Sequence, residues 1–242
     1  MTVLFISDLH LSEQEPGNVR AFLSFLGSTG PHAEALYILG DLFEYWAGDD
    51  DETALSRTVG TALATLSAQG IRIGFIPGNR DFLLGPTFAA SAGMEILPDP
   101  TKIRLGDRDV LLSHGDALCT DDAAYQNYRQ MVRAPDWQMS FLQRPLAERR
   151  QLIEQLRQRS EQAKQEKSME IMDVNSKAVE SLLRSESYPA LIHGHTHRPA
   201  VHIHDVDGRR CERWVLSDWH SEATYLEWSG EAFHPHVPTK TT

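Results

Sequence analysis

Residues 3–10 read Val-Leu-Phe-Ile-Ser-Asp-Leu-His, four apolar side chains in a row and then an aspartate and a histidine one residue apart. A short unbroken apolar run that ends in polar residues reads as a strand buried on both faces. The pattern recurs along the chain. Residues 36–39 lead into Gly40-Asp41-Leu42-Phe43-Glu44, residues 71–76 into Gly78-Asn79-Arg80-Asp81, residues 110–112 into Ser113-His114-Gly115, and residues 190–192 into His193-Gly194-His195-Thr196-His197. Helical spacing over residues 19–26 and 53–66 makes strand and helix alternate, as in a layered α/β protein. Residues 201–206, 214–217 and 224–228 read as further strands, the first two joined around Asp207-Gly208, a hairpin-favouring dipeptide. They predict a second, more antiparallel sheet packed on the first.

The chain has 242 residues, enough for one substantial core but short for two, so a single domain over 1–242 is expected. Its net charge of −11 argues against a nucleic-acid partner, which needs a basic face. Cys119 and Cys211 stand far apart without a partner motif, which fits a reducing, cytoplasmic setting and gives no thiolate metal site. The N-terminus meets acids and a histidine too soon for a signal peptide, and no apolar run approaches the roughly 18 residues of a spanning helix. A soluble or peripherally attached protein is expected.

His114 and His195 stand 81 positions apart, whereas a βαβ unit needs about 30 residues, so a helical insertion over about 120–170 is predicted. Between Pro145 and Pro189 there is neither Gly nor Pro, and the charged, Gln-rich stretch from Leu146 suits a long, solvated helix. A further helix is expected from near Asp173, with that residue as its cap.

Each of the five buried strands is followed at once by residues of metal-ligand type. Loops beyond strand C-termini of an open α/β sheet converge on one crevice, so Asp8, His10, Asp41, Asn79, His114, His195 and His197 are expected to meet at one sheet edge. In Asp8-x-His10 and His195-x-His197, alternate residues of an extended segment would present two ligands together. Seven oxygen and imidazole donors without a thiolate are too many for one tetrahedral zinc and suit two harder divalent ions such as Mn²⁺. Asp41 is the natural bridge, because a carboxylate can reach two ions at once. With Asp8 and Asp41 as the only charged ligands, such a pair keeps two positive charges, which match a diphosphate diester. A water activated by the ions would be the nucleophile. Arg80 is a candidate clamp for a phosphoryl oxygen, or else a partner of Asp81 or another carboxylate. His193 fits either support of the site or simple packing.

The ordered set SDLHL, GDLFEYWAGDD, PGNRDFLLG, LSHGD and HGHTHRPAVH resembles the calcineurin-like metallophosphoesterases over nearly the whole chain. The resemblance implies a four-layer α/β/β/α sandwich with a helical cap and two Mn²⁺ ions per chain. It assigns Asp8, His10, Asp41 and His197 to one ion and Asp41, Asn79, His114 and His195 to the other. Catalytic roles are implied for Arg80 and His195, and substrate contacts for Asn79, Arg80, Asp122, Ser160, Lys164, Lys167 and His195. The branch it matches most closely cleaves UDP-2,3-diacylglucosamine to UMP and 2,3-diacylglucosamine 1-phosphate in lipid A biosynthesis, a lipid-linked nucleotide sugar met at the cytoplasmic face of the inner membrane. Rival readings are action on another diphosphate or diester, and a binding scaffold without metal.

The insertion is where lipid specificity is expected to lie. Arg144, Arg149, Arg150, Arg157, Arg159, Lys164 and Lys167 outnumber the acids around them, as a solvated helix face or as a surface for diphosphate or anionic lipid. Peripheral membrane attachment through Arg149, Arg150 and Arg157 is expected. Tyr125, Tyr128, Met131 and Val132 share a helical face, followed by Trp137, Met139, Phe141 and Leu142, for packing against the body or for acyl chains.

Overall fold

Strand β1, Val3–Ile6, is buried along its length and serves two cores at once. The computed structural model describes residues 1–166 and 173–237, the side chains of residues 159–166 excepted. Side chains alternate across a strand. Leu4 and Ile6 therefore meet Phe22 and Phe25 on one face, while Val3 and Phe5 meet Val110 and Ile192 on the other.

The first sheet runs β11-β10-β1-β2-β3-β4, with β2 Ala35–Ile38, β3 Arg72–Phe75, β4 Met94–Ile96, β10 Tyr225–Trp228 and β11 Phe233–His236. Strands β1 to β4 are parallel. Their crossovers are helices α1 (Pro16–Ser28), α2 (Ala54–Ala68) and α3 (Pro86–Ser91), whose apolar sides cover the outer face. Proline opens α1 where its missing N–H costs nothing, and Thr53 with Ser56 closes a capping box on α2. The second sheet runs β5-β6-β7-β9-β8, with β5 Thr101–Leu105, β6 Arg108–Ser113, β7 Ala190–His193, β8 Ala200–Val206 and β9 Arg209–Val215. Helix α7, Ser176–Ser185, packs Val179 and Leu183 on Leu111 and Leu191 of its outer face. The result is a four-layer α/β/β/α sandwich.

The five ligand-bearing strands do not share one sheet: β1, β2 and β3 lie in the first, β6 and β7 in the second. The strand expected over 224–228 also changes sides, pairing antiparallel with β1 instead of joining the hairpin β8–β9. Its placement covers an edge that β1 would otherwise expose. Asn175, and not Asp173, caps α7, accepting from the N–H groups of Lys177 and Ala178. Asp173 instead pairs with Arg198 at 2.7 Å.

Helices α4 (Ala123–Arg133), α5 (Pro135–Leu142) and α6 (Leu146–Glu166) leave the sandwich as a cap. Arginines moor it. Arg133 donates to the carbonyls of Pro77 and Gly78, and Arg149 donates to that of Ala47 and pairs with Asp50.

Phe25 is 2% exposed and meets Trp219 edge-on at 5.7 Å, joining α1 to the loop after β9. Phe25→Ala should lower the unfolding free energy by about 3–5 kcal/mol in urea titration.

Candidate metal centre and active site

The strand ends turn into the site through a conformation that L-residues avoid. Asp8, His10, Asp41, His195 and His197 have φ between 50° and 68°, in the left-handed region. Non-glycine residues there cost about 1–3 kcal/mol each and persist where surrounding structure imposes them. The Asp8-x-His10 and His195-x-His197 pairs are therefore not extended, as expected from spacing, but alternate through left-handed turns. Gly78 is required for the same closeness: a Cβ there would lie 2.2 Å from Asp41 Oδ1.

The seven expected ligands do come together, in two lobes. In one, His197 Nε2 lies 3.3 Å from Asp8 Oδ1 and 3.4 Å from His10 Nε2. In the other, Asn79 Oδ1 lies 2.9 Å from His114 Nε2 and 2.8 Å from His195 Nδ1. Asp41 spans them, with Oδ2 3.9 Å from His10 Nε2 and Oδ1 3.7 Å from His114 Nε2.

Three histidines are oriented by what faces their Nδ1 atoms. His10 Nδ1 faces Glu44 Oε2 at 2.9 Å, His197 Nδ1 faces Asp218 Oδ2 at 3.1 Å, and His114 Nδ1–H donates to the Leu39 carbonyl at 2.8 Å. Each Nε2 is left to point inward, the arrangement that outer carboxylates and carbonyls impose on ligand histidines. Asp81 organises the Asp41 turn by accepting from the N–H groups of Leu42 and Gly78 at 2.7 and 2.9 Å. Burial and the charge of Asp41 raise its carboxyl to about 6. Glu44, Asp81 and Asp218 carried no assignment from the sequence. Glu44 and Asp81 stand inside the quoted motifs, and Ser217-Asp218-Trp219-His220 echoes Ser7-Asp8-Leu9-His10, a signal that was there to be used. His220, also unassigned, reaches Asp218 Oδ2 at 3.0 Å and lines the site's cavity.

His193 supports the last turn from behind. Its Nδ1–H donates to the Gly194 carbonyl at 2.9 Å, and Arg213 donates to Nε2 at 3.0 Å. Burial, then the Arg213 charge, lowers it to about 3, so it is neutral.

A cavity of about 1060 Å³ opens from the two lobes under the cap. Arg80 lines it, with its backbone N–H on Asp41 Oδ1 at 2.8 Å and Nη1 3.6 Å from Glu44, not from Asp81. Asp122 also lines it and caps α4 by accepting from the Tyr125 N–H. The Tyr125 ring stacks on His195 with centroids 5.9 Å apart. Of the aromatic and apolar residues singled out in the insertion, Tyr125, Tyr128, Trp137 and Phe141 line the cavity. Val132 is buried, whereas Met131, Met139 and Leu142 are exposed. The side chains of Ser160 and Lys164, and all of Lys167, lie outside the described residues.

Three arginines of the basic face expected of the insertion are occupied by ion pairs. Arg149 is buried against Asp50, Arg150 pairs with Asp51, and Arg157 with Glu44 at 2.8 Å. Partners 99 or more residues away pair with these charges, so the three arginines moor the cap to the body.

The donor set fits divalent cations. Asp8 Oδ2 accepts from Ser7 Oγ at 2.5 Å and from the His195 N–H at 2.9 Å, while Oδ1 is buried and faces His197 Nε2 at 3.3 Å. Inward-facing imidazole nitrogens and carboxylate oxygens with no thiol among them suit hard or borderline ions. Burial alone would lower His114 and His197, but the surrounding carboxylates outweigh it and raise them to about 9 and about 10. Without cations these rings hold protons at neutral pH, and a cation must displace them. Loading the metal-free protein with Mn²⁺ should therefore release protons, and its apparent affinity should weaken as the pH falls below about 10 and more steeply below about 9. Calorimetry in buffers of different ionisation enthalpy reads this, and uptake without proton release would contradict it.

A UDP-2,3-diacylglucosamine hydrolase of Aromatoleum aromaticum is 63% identical over 230 residues, covering 95% of this chain and 94% of that protein. Proteins of the same name from Edwardsiella ictaluri and Serratia proteamaculans are each 47% identical, covering 97% and 96% of this chain and 91% and 97% of theirs. The profile described as calcineurin-like phosphoesterase matches residues 1–199, through both lobes of the centre and the cap between them, and the chain belongs to that family.

Proposed function

We propose that the chain hydrolyses the diphosphate of UDP-2,3-diacylglucosamine to UMP and 2,3-diacylglucosamine 1-phosphate, at a centre holding two Mn²⁺ ions. The names of its relatives support the substrate, and one observation carries the reading to this chain. The cavity lined by His10, Asp41 and Asn79 is lined also by Trp46, Phe82, Tyr128, Trp137, Phe141 and Leu156. Metal-binding chemistry and apolar walls in one cavity suit an amphiphile whose phosphates and acyl chains must be held together.

Asp8, His10, Asp41 and His197 would hold one ion, and Asp41, Asn79, His114 and His195 the other. Bound there, the ions supply positive charge to the scissile diphosphate and lower the pKa of water. The chain's own residues do the rest. Asp41 joins the lobes, and Arg80 on the cavity wall is positioned to clamp a phosphoryl oxygen. His195, lowered to about 4 by burial and by His114, is neutral and offers a lone pair or a hydrogen bond rather than a charge. The leaving phosphate monoester is a weak base, so a strong general acid is not needed. Asp122, Ser160, Lys164 and Lys167 are proposed for the uridine, sugar and phosphate groups.

No helix among the described residues is long and apolar enough to cross a membrane. The substrate's acyl chains would bring the protein reversibly to the cytoplasmic face of the inner membrane.

Purified protein with Mn²⁺ should release UMP from UDP-2,3-diacylglucosamine and leave single-stranded DNA uncut. Cleavage of a generic aryl phosphodiester alone would overturn the substrate assignment. Asp41→Ala should reduce turnover at least about 10³-fold, because both lobes lose a ligand. Trp137→Ala should raise KM for the diacyl substrate more than it changes kcat, which steady-state kinetics on native and short-chain substrates resolves.

A further inference from the structure

Glu44 stands where the cap, the phosphate clamp and the metal centre meet. Its Oε2 faces His10 Nδ1 at 2.9 Å. Its Oε1 accepts from Arg157 Nη2 at 2.8 Å and has Arg80 Nη1 at 3.6 Å. Arg157 belongs to α6, 113 residues further along the chain. The guanidinium also lies over the Tyr45 ring at 5.8 Å and donates to Glu154 at 3.2 Å, which fix its own position.

A carboxylate engaged on both oxygens is oriented by each partner. If Arg157 leaves, Oε1 keeps only the longer approach to Arg80, and the Oε2 contact that sets the His10 ring loses its anchor. The other described arginine clamps of α6 do not reach a ligand: Arg150 holds Asp51, and Arg149 holds Asp50 and the Ala47 carbonyl. We propose that Glu44 is a positioning residue that couples seating of the cap helix, through Arg157, to the orientation of His10, so that the metal lobe containing Asp8, His10 and His197 is completed only when the cap is docked. The proposal rests on the metal-centre reading above. It gives a reason for a cap element to carry an arginine into a site that must bind cations.

Simple electrostatics predicts the opposite of this coupling. Removing a positive charge near a cation site strengthens cation binding, whereas losing an outer partner of a ligand histidine weakens it by about 10–100-fold. Mn²⁺ binding to the metal-free full-length chain, followed by the EPR signal of free Mn²⁺ without substrate, separates the two. Glu44→Gln should weaken one Mn²⁺ by about 10–100-fold and leave the other close to native. Arg157→Met should weaken the same ion, Arg157→Lys should recover part of the loss, and the double variant should be no weaker than Glu44→Gln alone. Arg150→Met breaks a cap clamp of the same kind and should bind Mn²⁺ as the native chain does, with circular dichroism melts confirming that each variant is folded. Native or tighter binding by Arg157→Met, additive losses in the double variant, or equal weakening by Arg150→Met would overturn the coupling. A native chain that takes up no Mn²⁺ would overturn the metal centre itself.

Discussion

Two carboxylates, Asp8 and Asp41, sit 0% and 2% exposed at the junction of the two sheets, and much of the structure serves to keep negative charge there. An unpaired carboxylate in such a place is strongly disfavoured. Burial presses the Asp8 carboxyl toward its neutral form, yet His197, His114 and His10 hold it well below the ordinary range. The Ser7 hydroxyl and the His195 amide satisfy one of its oxygens, and the other faces His197. A fold with only helices on its faces could not gather these groups. The sandwich brings two sets of strand ends, one from each sheet, to the same seam.

That seam explains the left-handed backbone. A strand that continued in extended form past Ile6 or Ile38 would carry its ligands away from the junction. The chain turns at Asp8, His10, Asp41, His195 and His197, all with positive φ, and hydrogen bonds between turns hold it there. Asp8 and His10 donate through their amides to the Gly40 and Asp41 carbonyls at 3.1 and 3.0 Å, and Trp219 donates to the Asp8 carbonyl at 3.2 Å. Asn18 donates to the Leu9 and Trp219 carbonyls and accepts from the Ser221 amide, tying helix α1 to both turns. Strain at the ligands is thus balanced by a network that extends into the core, where Phe22 and Phe25 pack on Trp219.

The ligand-bearing segments were legible in the sequence because an apolar run followed by Asp, Asn or His is a local pattern, and buried strands with functional C-terminal loops obey it. The division of those strands between two sheets was not. Four-residue strands such as β1 and β2 carry no mark of their partners, and pairing is decided by the faces of the other elements. Strands β4, β5 and β11 escaped for a related reason: short and partly exposed, they are defined by neighbours and not by their own composition. The arginine-rich run was least legible: its composition is that of a solvated helix, but Asp50, Asp51 and Glu44, about a hundred residues earlier, pair with Arg149, Arg150 and Arg157. Charge alone does not say whether an arginine faces water or a carboxylate from another element.

Those pairings alter what the cap can do. Helices α4 and α6 hold the body at several separate points, through Tyr125 and Arg129 on Asp116, Arg133 on the carbonyls after β3, and Arg149, Arg150 and Arg157 on the loop after β2. Asp116 lies two residues after His114, a proposed ligand, and Glu44 contacts His10, so two of these moorings end on residues adjoining the candidate metal centre. A cap attached only by apolar packing could slide to admit a lipid without the centre registering it. Here Tyr125 lines the cavity and stacks on His195, and Arg157 lines it and holds Glu44 against His10. Under the proposed coupling, displacing the cap to admit an acyl chain would perturb groups that orient the imidazoles, and seating it again would restore them. Binding of the apolar end of a substrate and readiness of the polar end would then be joined, favouring turnover of molecules that carry both.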